Sequence, residues 1–211
     1  MITAILLMAG KGTRMNMDIN KILLPIKGKP IYMYSLEKFI RLGFEVVCVI
    51  NEADENIIDS LPSNVKYTFG GNTRGESVIN GLKLATGEYT IIHDAARPFI
   101  SMDILNEIVD DISNPILCYH PVKDTIKDVS DGVKTLKRDN LIAAVTPQCA
   151  ATSLLVEVYN KAINENISFT DDISLIERYY PNQKIKLIKA NDEAFKITTA
   201  LDYDLACLIG E

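Results

Sequence analysis

The sequence predicts an α/β protein in which a mostly parallel sheet is flanked by helices. Three observations carry that prediction. Short apolar, β-rich runs recur at residues 3–7, 45–50, 65–69, 89–93 and 116–119. Helical patterns lie between them, and parallel strands need such crossovers to return to the same edge. A loop with two glycines and several cations, residues 8–21, follows the first run directly. That is where an open parallel sheet places its ligands, beyond the carboxyl ends of its strands.

Taken in order, residues 3–7 read as a buried strand, too short to cross a bilayer and without the cationic start or small-residue cleavage site of an export signal. A cytoplasmic location is therefore expected, with no membrane partner. Residues 30–42 form an amphipathic helix: Ile31, Tyr34, Leu36 and Phe39 share one face, and Gly43 stops it. The loops after Leu7, Phe69 and His93 should converge on one crevice. From 121 to 147 the pattern changes. Residues 124–129 and 133–136 alternate about a Ser130-Asp131-Gly132 turn, which predicts a hairpin arm that protrudes and pairs with another subunit. Helical periodicity returns at 152–163, with Thr152 as N-cap, and near 171–178. A strand at 184–188 and a helix at 201–209 close the chain. Without repeats, low-complexity segments or linkers, residues 1–211 read as one domain with a β-arm at about 121–147.

The formal charge of −6 argues against a protein that coats nucleic acid, and it requires any anionic substrate to be met by locally gathered cations. Cys48, Cys118, Cys149 and Cys207 fall in expected strands, a loop and a helix. They form no Cys-x-x-Cys pair, and only His93 and His120 could join them on a metal. Buried free thiols in a reducing compartment are the economical reading.

In the first loop, Gly10 and Gly12 clear the approach to the main chain on both sides of Lys11, and Arg14 adds a planar fork suited to phosphate oxygens. The spacing is not that of a Walker A loop, and Met15 stands where a dinucleotide fingerprint needs its third glycine. These residues alone allow either a phosphate cradle or a tight strand-to-helix turn with solvated charges. Likewise Lys21 alone reads as a surface lysine, and Gly70-Gly71 as a turn.

Several blocks in fixed order point further. They are Ala9 to Met15, Lys21, Gly70-Gly71 with Arg74 and Ser77-Val78, His93-Asp94-Ala95-Ala96-Arg97-Pro98, Asp124-Thr125-Ile126-Lys127, Arg138, Thr146-Pro147-Gln148, Thr170-Asp171-Asp172 and Lys196-Ile197-Thr198-Thr199. Together they resemble the 2-C-methyl-D-erythritol 4-phosphate cytidylyltransferases, with the ribitol-5-phosphate cytidylyltransferases as close relatives. The resemblance implies a Rossmann-like nucleotidylyltransferase sheet and an enzyme that joins CTP to a sugar-alcohol phosphate with release of pyrophosphate.

By this resemblance Arg14 and Lys21 grip the triphosphate and stabilise the pentacoordinate transition state, while Lys11, Gly12 and Gly71 complete the nucleotide loop. A Mg²⁺ cofactor is implied, held mainly by triphosphate oxygens. Asp94 is either a metal ligand or an acceptor for alcohol hydroxyls. Base selection falls to Ala9, Gly10, Gly70 and Ser77, through carbonyls that accept from the cytosine amine and a hydroxyl that donates to its ring carbonyl. Arg97 and Thr125 contact the second substrate, and Arg138, Thr146, Thr170 and Lys196 receive its phosphate. The arm bearing Arg138 reaches across a homodimer. The Ala95-Ala96 pair and Thr170-Asp171-Asp172 favour methylerythritol phosphate over ribitol phosphate. The chain departs from the family at Met8, at Ile22 and at Ala194-Phe195, which also leaves open a catalytically silent nucleotide-binding protein on the same fold.

Overall fold

Strand β1 (Ile2–Leu7) sends Ala4 and Leu6 into one apolar layer and Ile5 into the other, because successive strand side chains point to opposite faces. A short hairpin, β2 (Pro25–Ile26) and β3 (Lys29–Pro30), leads into helix α1 (Ile31–Arg41). Then follow β4 (Glu45–Ile50), β5 (Lys66–Phe69), α2 (Arg74–Leu82), β6 (Tyr89–Asp94), α3 (Met102–Asp110) and β7 (Ile116–Pro121). The arm holds β8 (Lys127–Asp128) and β9 (Lys134–Thr135). Beyond it come β10 (Ile142–Ala151), α4 (Thr152–Asn164), α5 (Ile173–Tyr179), β11 (Lys186–Lys189) and α6 (Ala200–Ile209). This computed structural model describes residues 1–10 and 20–210.

One seven-stranded sheet runs β11-β7-β10-β6-β1-β4-β5. All of its neighbours pair in parallel except β10, which is antiparallel to both β6 and β7. Strand β4 repeats the alternation of β1, with Val46, Cys48 and Ile50 on one face and Val47 and Val49 on the other. Helix α1 packs on the first layer through Tyr32, Leu36 and Phe39; α2, α4 and α5 cover the second through Val78, Tyr159 and Ile176. Burial on both faces is what makes these strands read as apolar runs.

The predicted parallel strands and α1 are present, and α1 ends as expected, with Gly43 at φ 71° in the left-handed conformation favoured after a helix. The hairpin is present too, though only two residues of each strand pair. Three details differ, and two helices expected only as patterns gain their bounds. Asp94 is the last residue of β6 rather than part of the following loop. Residue Cys149 lies in β10, not in a loop. Helices α2 and α3 fill two of the gaps between strands where helical patterns were expected without stated bounds. Thr152 does not cap α4: Ala151 holds that position without a side-chain cap, while the Thr152 hydroxyl donates to the Gly87 carbonyl at 2.6 Å and meets Thr90 Oγ1 at 2.8 Å. The hydroxyl is thus spent on the neighbouring strand, which leaves the helix end to the backbone. Among the described residues no helix is long and apolar enough to cross a membrane.

Candidate active site

The loops after β1, β4 and β5 and the end of β6 open into one crevice of about 730 Å³. The segment after β11 adds Lys196 to its wall. This is the convergence expected of a parallel sheet, and the volume suits a nucleotide-sized ligand.

One corner is formed by Ala9, Gly70 and Ser77. A Cβ at Gly70 would lie 2.4 Å from the Ala9 Cβ and 3.0 Å from the Ser77 hydroxyl, so these residues are already in contact and only glycine fits between them. Helix α2 sets Ser77. Its N-cap Thr73 accepts from the Glu76 amide at 3.1 Å, and Gly81 lets the helix lie against Ile5 and Val49. The Ser77 hydroxyl accepts from the Gly71 amide at 3.1 Å and donates to the Thr73 carbonyl at 2.9 Å. Donation to a ligand therefore requires it to leave Thr73; acceptance through its other lone pair does not.

The charged part of the crevice is built around Asp94, which is buried. Lys196 donates to its carboxylate at 2.7 Å, and the side-chain nitrogens of Arg74 and Arg97 approach to 3.8 and 3.9 Å. Burial alone would raise this carboxyl; Lys196 first, then Arg74 and Arg97, override that and hold it down at about 2. Its backbone amide donates to the Thr146 hydroxyl at 3.0 Å, which ties β6 to β10. Lys21 joins the same wall from a single 3-10 turn, Lys21–Leu23, and is itself buried.

Arg74 was legible as part of a block but not as a working residue. Its two terminal nitrogens hold both oxygens of buried Asp172 at 2.7 Å, a fork that fixes the guanidinium plane. Burial lowers the pKa of this group, and the Asp172 charge outweighs it and raises it. Asp172 also accepts from the Tyr159 hydroxyl, and the Asp172 and Ile173 amides both donate to Gln148 Oε1, at 2.9 and 3.0 Å. A buried polar network thus aims Arg74 past Asp172 toward Asp94. No spacing signal could find a pair separated by 98 residues.

The other expected site residues are placed as follows. Arg97 does not line the crevice; its Nη1 donates to the Ala194 carbonyl at 3.0 Å and so braces the segment leading to Lys196. Thr146 is buried behind Asp94, Thr170 is exposed one residue from Asp171, and Thr125 is exposed on the arm. Arg138 is exposed as well and donates to the Lys123 carbonyl at 3.0 Å; within one chain neither it nor Thr125 lines the crevice. Gly10 and Gly71 do. Lys11, Gly12 and Arg14 lie outside the described residues. Of the departures from the family, Met8, Ile22 and Ala194 are buried apolar packing positions.

The metal question turns on Asp94. A carboxylate ringed by three cationic side chains suits a counter-ion or a hydroxyl acceptor, and it does not suit a divalent cation. Among the described residues no cluster of His, Cys, Asp and Glu could hold a metal ion. His93 is fully buried; its Nε2–H donates to the Arg97 carbonyl at 3.0 Å, and burial lowers it to about 4, so it is neutral. His120 Nε2 meets the Asn191 carbonyl at 3.1 Å. The four thiols are unpaired, and burial pushes Cys48 and Cys118 up to about 12.

Comparison with known proteins adds an independent line. Residues 2–210 match the family described as 2-C-methyl-D-erythritol 4-phosphate cytidylyltransferase. A relative of that name from Clostridium novyi is 38% identical over 217 residues, covering 94% of this chain and 92% of its own length. Another, from Clostridioides difficile, is 36% identical over 220 residues, covering 98% and 92%. The crystal structure of 4-diphosphocytidyl-2C-methyl-D-erythritol synthase from Anaerococcus prevotii superposes with a TM-score of 0.87 at 28% identity, covering 98% of this chain and 96% of that one.

Proposed function

Since the chain belongs to the 2-C-methyl-D-erythritol 4-phosphate cytidylyltransferase family, we propose that the crevice described above carries that reaction in the following way. CMP passes from CTP to 2-C-methyl-D-erythritol 4-phosphate and pyrophosphate leaves, a step in isoprenoid precursor synthesis. A phosphate oxygen of the alcohol forms a bond to the α-phosphorus, the bond from that phosphorus to the β-phosphate oxygen breaks, and the electron pair departs with pyrophosphate. The attacking group is already an anion, so the protein's work is alignment and charge neutralisation rather than proton removal.

One observation supports this assignment above the others: Lys21, Arg74, Lys196 and Asp94 line the same crevice as the Ala9, Gly70 and Ser77 corner. In our reading the corner takes the cytosine ring and Lys21 faces the triphosphate, with Lys11, Gly12 and Arg14 assigned to it by resemblance alone. Asp94 accepts from the alcohol's hydroxyls, and Lys196, drawn from Asp94, meets the incoming phosphate. A magnesium ion would be held by the triphosphate oxygens rather than by Asp94, for the electrostatic reason given above, and would add charge neutralisation there. The test is pyrophosphate release from CTP with each candidate alcohol. Release is expected with methylerythritol 4-phosphate. Release only with ribitol 5-phosphate, or CTP binding with no release, overturns the reading.

The arm is the second part of the proposal. A two-residue ladder is marginal by itself, and Val129 and Val133 beside it are 71% and 78% exposed. We assign it to the partner subunit's crevice in a homodimer, where Arg138 and Thr125 reach the second substrate. Arg138→Ala is expected to raise the KM for the alcohol phosphate about tenfold or more with CTP binding unchanged. Mixing it with a Lys196→Ala subunit should restore activity, since half the sites of a mixed dimer would be intact. No restoration, or unchanged second-substrate kinetics, refutes the arm's role.

A further inference from the structure

Where β1 runs out, the ladder stops supplying partners. The Met8 amide still donates to the Val49 carbonyl at 2.8 Å, but the next two carbonyls are met by side chains. Asn20 Nδ2 donates to the Met8 carbonyl at 3.1 Å, and Asn51 Nδ2 donates to the Ala9 carbonyl at 3.2 Å. Asn51 is the first residue after β4, and its Oδ1 accepts from the Ala53 amide at 3.0 Å as the N-cap of a 3-10 segment, Glu52–Ser60. Its orientation is therefore fixed from both ends. Turning the amide over would set Oδ1 against a carbonyl and the NH2 group against an N–H.

A carbonyl has two lone pairs, and Asn51 occupies one of those on Ala9. Ala9 and Asn51 both line the crevice, beside Gly70 and Ser77. The geometry points to Asn51 as the residue that positions base selection: its amide holds the Ala9 carbonyl as an acceptor for the exocyclic amine of a cytosine nucleotide. Uracil carries a carbonyl at the same place, and two acceptors then face each other with no proton between them. The inference rests on the reading of the crevice as a CTP site and adds to it the residue that makes the site prefer CTP to UTP.

Two variants separate this role from simple capping. Asn51→Asp keeps an oxygen for the Ala53 amide, since aspartate caps as well as asparagine, but has no proton to give Ala9. Asn51→Ala loses both. Steady-state kinetics with CTP and with UTP are measured at saturating methylerythritol 4-phosphate, beside thermal unfolding of each variant. We expect the ratio of kcat/KM for CTP over UTP to fall about tenfold in both variants. The KM for the alcohol phosphate should stay within about twofold of the parent, and Asn51→Asp should unfold close to the parent temperature. An unchanged ratio in Asn51→Asp, or an equal loss for both nucleotides from added negative charge, overturns the proposal. Calorimetric binding of both nucleotides to the parent protein tells the two readings apart. Preference for CTP without turnover would refute the enzymatic reading alone, and the binding ratio would then test Asn51; preference for neither would overturn both.

Discussion

Lys21→Ala is expected to lower kcat by about two to three orders of magnitude while the apparent KM for CTP changes only a few-fold. The reason is where the charge grows. In the ground state the triphosphate is already solvated and spread over many oxygens, so one ammonium adds little to binding. As the fifth oxygen closes on the α-phosphorus, negative charge gathers on a crowded centre, and a cation fixed beside it in a shielded wall is worth far more. Lys21 is 9% exposed and held by a short turn capped by Asn20, whose side chain accepts from the Ile22 amide. That anchorage makes the side chain preorganised rather than recruited. Single-turnover measurement of pyrophosphate release at saturating CTP reads the effect directly. A raised KM with intact kcat would refute the role.

Asp94→Asn is expected to cut kcat/KM for the alcohol phosphate by about two orders of magnitude and to affect CTP much less. The substitution keeps the shape but removes the charge that Lys196 touches at 2.7 Å and that Arg74 and Arg97 flank. One of the two acceptor oxygens becomes a donor, and the charge that places Lys196 is lost with it. Stability carries a second signature. The folded carboxyl sits at about 2, below its ordinary value of 3.8, so the native state binds its proton less readily than the unfolded chain. Its contribution is thus complete above the ordinary value and is lost as pH falls from there to about 2. By linkage this is on the order of 2 kcal/mol. Denaturant midpoints at pH 5 and pH 3 should therefore differ less in Asp94→Asn than in the parent protein. An identical pH slope would show that the surrounding cations do not act on this carboxylate.

Much of the architecture was legible because burial on both sheet faces leaves unbroken apolar runs, as in residues 45–50, and because Gly43 marks a helix end. The convergence of three loops followed from topology alone. The bounds of helix α2 were hidden by its composition: Gly75, Ser77 and Gly81 within nine residues weaken the helical pattern, yet Gly81 is there to let the helix touch β1. Strand β10 was hidden likewise, its Ala, Thr, Pro and Gln giving weak strand preference and its register shifting between Val145 and Gln148. At the site, Asp94 and Lys196 were named from blocks. The contacts that orient them were not, because Arg74 with Asp172 and Asn51 with Ala9 are meetings of distant segments that only the folded chain makes.

Strand β10 also has a mechanical meaning. It starts two residues after a 3-10 turn, Arg138–Asn140, carries Thr146 against the backbone of Asp94, and reaches Gln148, which pins the first amides of α5. Hairpin, carboxylate and cation brace therefore share one strand, antiparallel to both strands beside it. The stretch that departs from regular pairing, between Val145 and Gln148, is the one that carries the Thr146 contact, so the strand leaves its ladder where it meets the carboxylate.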